Sequence, residues 1–345
     1  MRAMLALILM VCPASAEVIL FPAGAGAPEL VIYSTLDAPL AAPLVTAFQA
    51  ENPGVAVRYE DLLAGEIAAR VVSETDAGET TADFTFSSAM DLQVKLANDG
   101  YAQAVVVPET ADWPRWANWR DTAYAMTFEP AVLVWHKPSF PDGPPLTHLK
   151  LMDWLRTAPP GRIGTYDIER SAVGYLFLAR DQEHFADIWS LVRAMGAAGV
   201  QVFPTSKDII DRVASGELSL GYNILGSYAA DQARRYPDLG LVLPGDYTVV
   251  VSRVALVPRA ARSPDLGARF LGFLMSRSGQ TLLAEKLRLP AVSLEVSDAN
   301  SARAMQAALG DQLRPVSVSP GLLVYLDQAK RRRLLQRWAQ ALSGG

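Results

Sequence analysis

The hydrophobic positions of the chain alternate between two periods. Leu30 to Tyr33 form a short apolar run that stops at Ser34 and Thr35, and Leu40, Leu44, Val45 and Phe48 then recur at helical spacing until Asn52-Pro53-Gly54 interrupts them. VAVRYE reads as a second strand, and AGEIAARVVSET as a helix with Ile67, Val71 and Val72 on its apolar side. Residues 83–86 form a third strand, and a helix opens at Ser87-Ser88. The pattern breaks between Tyr101 and Trp119 into a Trp- and Pro-rich loop, and the strand-like AVLVWHKP leads into the turn-rich FPDGPP. A second alternating series starts at GRIGTYD and runs through the helix SAVGYLFLARD, a strand ahead of a Thr205-Ser206 cap, and the strand LSLGYNIL, which ends at Gly226-Ser227-Tyr228. Two more strands occupy GLVLPGDYTVVVSRVALVPRA, after which the chain becomes helical. Strands alternating with helices in this way predict parallel βαβ units in a layered α/β fold.

The length of 345 residues suggests two domains. Half the residues are apolar and 19% are charged, as in folded globular proteins. With 31 Lys and Arg against 36 Asp and Glu, the net charge is -5, which argues against nucleic acid as a partner. The first residues, MRAMLALILMVCPASAE, have the basic start, short apolar run and Ala-x-Ala ending of a secretory signal, with cleavage expected after Ala16. The apolar run is too short to span a bilayer. The one cysteine, Cys12, falls inside that signal, so an exported chain would depend on its core rather than on disulfides.

Ligands of open α/β sheets sit beyond the carboxyl ends of the strands. Four predicted strands end on hydroxyl-bearing residues at a helix start: Ser34-Thr35, Ser87-Ser88, Tyr166 to Ser171, and Ser227-Tyr228. Unpaired amides and the helix dipole make such ends suited to carboxylates or phosphates. Ser and Thr are also ordinary helix caps, so each site taken alone has a plain structural reading. Asn223, on the strand leading to Ser227, joins the candidate set, and Arg170 and Arg253 would add fixed positive charge. His136, His148 and His184 lack metal-ligand spacing, and no nucleophile elbow, phosphate-loop or zinc-protease motif occurs. Glu60-Asp61 reads as a solvated turn, and the run KRRR at 330–333 as a solvated helix face.

The order LVIYSTLDAPLAAPLVTAFQAENPGVAVRYE, GEIAARVVSET, TADFTFSSAMDLQVKLANDGYAQ, GELSLGYNILGSYAADQARRYPD and SPDLGARFLGFLMSRSGQTLLAE resembles the periplasmic solute-binding proteins of ABC importers, over nearly the whole mature chain. The related branch includes binders of ferric iron, thiamine, phosphonates, phosphoglycerate and sugar phosphates. The resemblance implies a two-lobed periplasmic binding protein-like α/β fold of type II, with crossover segments near 130–138 and 247–257. Residues 17–130 would begin lobe one, 131–248 would form lobe two, and 249–345 would return to lobe one with the late helices packed there. It implies a monomer without cofactor or catalytic activity, which carries a small anionic ligand to a membrane permease. Ferric members use a His, a Glu and an adjacent Tyr pair, where this chain offers Asp37, Ser88 and Ser227-Tyr228, a poor set for iron(III). Alternatives are a ferric-iron or thiamine-type binder, a sensory protein serving a membrane histidine kinase, and a secreted hydrolase, which lacks a visible nucleophile and base pair.

Overall fold

The structure, a computed structural model, describes residues 17–296 and 301–343. The expected signal segment at 1–16 lies outside the described residues. In chain order, β1 (Glu17–Phe21), β2 (Glu29–Ser34), α1 (Ala38–Glu51), β3 (Ala56–Asp61), α2 (Ala64–Asp76), β4 (Phe84–Ser87), α3 (Met90–Asn98), β5 (Asn118–Trp119) and β6 (Ala123–Ala125) come first. They are followed by β7 (Glu129–His136), α4 (His148–Leu155), β8 (Ile163–Tyr166), α5 (Ala172–His184), α6 (Ile188–Ala197), β9 (Gln201–Phe203), α7 (Ser206–Ala214), β10 (Leu220–Leu225), α8 (Gly226–Gln232), β11 (Leu239–Val242) and β12 (Thr248–Val251). The chain closes with β13 (Val254–Leu256), α9 (Pro264–Met275), α10 (Arg277–Glu285), α11 (Ala302–Leu309), β14 (Leu313–Pro315) and α12 (Gln328–Leu342).

Two sheets organise these elements, one ordered β1-β3-β2-β4-β13-β6-β5 and the other β14-β12-β7-β10-β8-β9, with β11 also on β7. Each contains the same parallel trio, β3-β2-β4 and β9-β8-β10, in which the strand earliest in sequence lies in the middle. Connections leaving that middle strand and its neighbour diverge to opposite sides, and a crevice opens at their carboxyl ends. The two sheets define two lobes of a mixed α/β fold.

The chain passes between the sheets three times, at 126–128, at 252–253 and again between β13 and β14. The first crossing therefore precedes the segment 130–138 where the sequence reading put it. Residues 129–136 are a strand of the second sheet, paired with β10, β11 and β12, because the buried run Ala131 to Val134 needs cover on both faces. The first two crossings are stitched together: the Met126 amide donates to the Arg253 carbonyl at 2.9 Å, and the Arg253 amide donates to Thr127 Oγ1 at 2.7 Å.

The late helices do not all return to lobe one. Phe270 of α9 meets Phe48 of α1 and Phe84 of β4 edge-on, each at 5.0 Å between ring centres, and fixes α9 on the first sheet. In contrast, α12 packs on α6 of lobe two, with Leu334, Trp338 and Ala341 buried in that lobe's core. Gly196 permits this approach, since a Cβ there would lie 2.2 Å from the Leu342 carbonyl oxygen. The apolar side of α12 was legible in the sequence, but its partner was not. The polar KRRR face opposite it has Lys330, Arg332 and Arg333 exposed.

Asp91, in the first turn of α3, is 2% exposed and accepts a hydrogen bond from the Leu92 amide at 2.9 Å. Burial pushes its carboxyl up to about 6, outweighing the backbone amides and the charge of Arg331 on α12. The fold thus favours the neutral acid: this group's contribution to stability is complete below the usual 3.8 and is lost as pH rises through about 6. Asp91→Asn is accordingly expected to stabilise the protein by up to about 3 kcal/mol at about pH 8 and to change little at about pH 3. Urea unfolding at the two pH values checks this, and equal effects at both would refute it.

Candidate functional site

A cavity of about 560 Å³ lies between the lobes, at the carboxyl ends of both parallel trios. Lobe one contributes the ends of β2, β3 and β4 and the start of α2; lobe two contributes the ends of β8 and β10 and the starts of α5 and α7. Among the eleven candidate residues from the sequence, Thr35, Ser88, Tyr166, Arg170, Ser171, Tyr228 and Arg253 line this space.

Ser34, Ser87, Asn223 and Ser227 do not, and each has another task. Ser34 Oγ donates to the Phe86 carbonyl at 2.9 Å and accepts from the Leu36 amide at 3.0 Å, tying the end of β2 to β4. Ser87 Oγ accepts from the Ala89 amide at 3.2 Å, a local turn bond. In both hydroxyl pairs the first residue secures the strand end and the second turns to the cavity, as alternating side-chain direction requires. Asn223 adopts φ +59° at a register shift in β10, a conformation Asn tolerates, and its amide donates to buried Asp181 at 2.5 Å. Ser227 Oγ donates to Glu129 beneath the cavity floor.

That floor is a buried polar node joining the first two crossings. Arg253 is fully buried, with Nε 3.3 Å from Glu129 Oε1, and its Nη1 donates to Thr35 Oγ1 at 3.1 Å. Glu129 also accepts from Thr127 Oγ1 at 2.7 Å. Burial alone would lower the guanidinium pKa, but the Glu129 charge and nearby phenols outweigh it, so Arg253 stays charged. Thr35 Oγ1 accepts in addition from the Ser88 amide at 3.1 Å, which leaves its own proton free to donate toward the cavity.

On the lobe-two wall, Tyr166 OH shares a hydrogen bond with Ser206 Oγ and accepts from the Leu225 amide at 3.3 Å. Burial pushes its phenol up to about 12, so it serves as a neutral hydroxyl. Ser171 Oγ caps α5 by accepting from the Gly174 amide at 3.2 Å, and Thr205 Oγ1 caps α7 from the Asp208 amide at 3.1 Å. These caps aim two helix starts at the cavity, beside Arg170.

Several lining residues escaped the sequence reading, among them Asp61, Leu63, Val173, Pro204 and Lys207. Glu60-Asp61 is no solvated turn: Glu60 is 3% exposed between Arg58 at 2.7 Å and Arg70 at 2.6 Å, and Asp61 ends β3 at the cavity. Burial pushes the Asp61 carboxyl up to about 6; the Ala38 amide opposes this and the charge of Asp37 adds to it. Asp37 itself accepts from Tyr228 OH of lobe two at 2.9 Å, a direct bond across the cleft. A polar residue at a strand's carboxyl end before a helix was the available signal for Asp61, the one that selected Ser34.

The profile of the bacterial extracellular solute-binding proteins matches residues 29–286. The chain belongs to that family. A crystal structure of the substrate binding protein of an ABC transporter from Agrobacterium tumefaciens is 61% identical, over 96% of this chain and 100% of that one, with a TM-score of 0.92. More distant solute-binding proteins share the fold. AfuA from Actinobacillus pleuropneumoniae, with fructose-6-phosphate bound, is 16% identical over 91% of this chain and 98% of its own, with a TM-score of 0.72. Iron-bound HitA from Pseudomonas aeruginosa is 18% identical over 90% and 98%, with a TM-score of 0.70. A search of curated proteins found no match. The solute-binding protein is thus a substrate-binding component of an ABC transporter, and its relatives act in transport rather than catalysis. No described helix is long and apolar enough to cross a membrane.

Proposed function

We propose that this solute-binding protein captures a small organic anion, phosphorylated or carboxylated, in the interlobe cavity and delivers it as a monomer to the membrane permease of an importer. The proposal includes periplasmic residence after cleavage of the signal at Ala16, and a first lobe rejoined after residue 249. One observation carries it: the capped starts of α5 and α7 converge with Arg170 on the cavity, opposite the free hydroxyls of Thr35 and Ser88. Backbone amides, a guanidinium and hydroxyls are the donors an oxyanion needs. Because the donors come from both lobes, an anion that bridges them favours the closed arrangement by its differential contacts, the condition for ligand-driven closure.

The ferric alternative has less support. Of the positions that matter in ferric relatives, Ser227 is committed to Glu129, and the Tyr228 phenol is bonded to Asp37 with its pKa raised by burial. Among the described residues no three His, Cys, Asp or Glu side chains group as a metal site. AfuA, whose bound fructose-6-phosphate is an organic anion, supports the anion reading by fold alone.

A thermal-shift screen over sugar phosphates, glycerate phosphates, phosphonates, dicarboxylates, thiamine forms and ferric citrate tests the reading. A cognate anion at a hundredfold its Kd should add about 2.7 kcal/mol of stability. With that anion, Arg170→Ala and Ser88→Ala should each weaken binding by about 1.5–3 kcal/mol in calorimetry. A shift with ferric citrate alone, or variants that bind normally, would overturn the assignment.

A further inference from the structure

Resting on the anion reading, we infer that the captured solute is dipolar: a short hydrocarbon spacer carries an anionic group, seated at Arg170 and the capped starts of α5 and α7, and an ammonium group, seated at Asp37 and Asp61. The two walls of the cavity carry opposite charge. Lobe two presents Arg170, which has no ion-pair partner among the described residues, whereas lobe one presents Asp37 and Asp61. Two nearby buried carboxylates have cations: Glu60 is held by Arg58 and Arg70, and Glu129 by Arg253. Asp61 is bonded instead to the Ala38 amide at 3.2 Å, and Asp37 to the Tyr228 hydroxyl, both neutral donors. Arg253 and Lys207 line the same cavity, but Arg253 is paired with Glu129 beneath and Lys207 with Asp211.

Two half-buried carboxylates without an ion-pair partner are costly to keep charged, and Asp61 shows that cost in a carboxyl pushed up to about 6 by burial, with Asp37 adding to it and the charge of Arg253 offsetting only part. An ammonium group arriving with the ligand relieves the cost, and each carboxylate can accept a charge-assisted hydrogen bond from it. A second observation concerns the rest of the lining. Leu62, Leu63, Ala89, Val173, Pro204 and Leu225 contribute to it, and no Asn, Gln, His or Trp does. Against these apolar side chains a methylene spacer would be buried favourably, whereas the hydroxyls of a sugar would depend on the few Ser and Thr hydroxyls of the lining for partners. The volume of about 560 Å³ accommodates so small a molecule and its water.

Isothermal titration with matched pairs tests this on the intact mature protein: 3-aminopropanoate against propanoate, and phosphoethanolamine against ethyl phosphate, with glucose 6-phosphate as the polyol. In at least one pair the amino compound should bind at least about tenfold tighter than its partner, and tighter than the sugar phosphate. Asp61→Asn should reduce that preference severalfold by weakening the amino compound and not its amine-free partner; Asp37→Asn is the second variant should the first fail to fold. Equal binding within both pairs, or tighter binding of the sugar phosphate, would overturn the inference. Binding by none of the five would overturn it as well. Arg170→Ala, read with whatever anion the wider screen identifies, then separates the cases: weakened binding leaves the anion reading standing, and unchanged binding removes that reading too.

Discussion

Arg253→Ala is expected to destabilise the protein by about 3–5 kcal/mol, because it leaves Glu129 charged, buried and without its cation. Both partners are out of solvent, with side-chain exposures of 1% and 0%. The loss extends beyond the pair, since Arg253 Nη1 also holds Thr35, and Thr35 accepts from the Ser88 amide. The variant should therefore lower both the unfolding midpoint and the affinity for the solute. Replacing the two partners together, Arg253→Met with Glu129→Leu, removes both charges and should recover a good part of the stability, although the Thr127 and Ser227 hydroxyls then lose an acceptor. Chemical unfolding of the two single variants and the double gives the coupling directly. A loss below about 1 kcal/mol for Arg253→Ala would mean that Glu129 does not depend on this cation.

The second large effect is expected at Phe270. This ring is 2% exposed and stands edge-on to Phe48 and Phe84, so it joins a helix late in the sequence to a strand and a helix from the first third. Phe270→Ala should cost about 3–5 kcal/mol through lost burial and the cavity left behind. Lobe one should suffer first, because Phe270 sits on its sheet, and hydrogen exchange should speed in β2 and β4 before it speeds in β8 and β10. Uniform loss of protection in both sheets would show that the lobes unfold as one unit.

The cavity's residues were only partly legible beforehand, and the reason is directional. Ser34 and Thr35 are adjacent and similar in chemistry, as are Ser87 and Ser88, yet one of each pair stitches strands and the other faces the solute. Sequence shows the hydroxyls at a strand end but not which way each points, since that depends on where the strand stops and the helix begins. Asn223 illustrates the same limit: one register shift in β10 turns it toward Asp181. Lys207 and Leu63 reach the cavity because neighbouring strands bring their helix starts there.

The sequence by itself determined the alternation of strands and helices, the hydroxyl-rich helix starts and the resemblance to the solute-binding family, because periodicity and capping are local properties of a few consecutive residues. Tertiary structure alone decided that Glu129 neutralises Arg253, that Asp37 and Asp61 face Arg170 across a cleft, and that α12 rests on lobe two. Those pairings join residues more than a hundred positions apart. Which charge meets which is set by the geometry of two sheets and their crossings, and no short window of sequence contains that information.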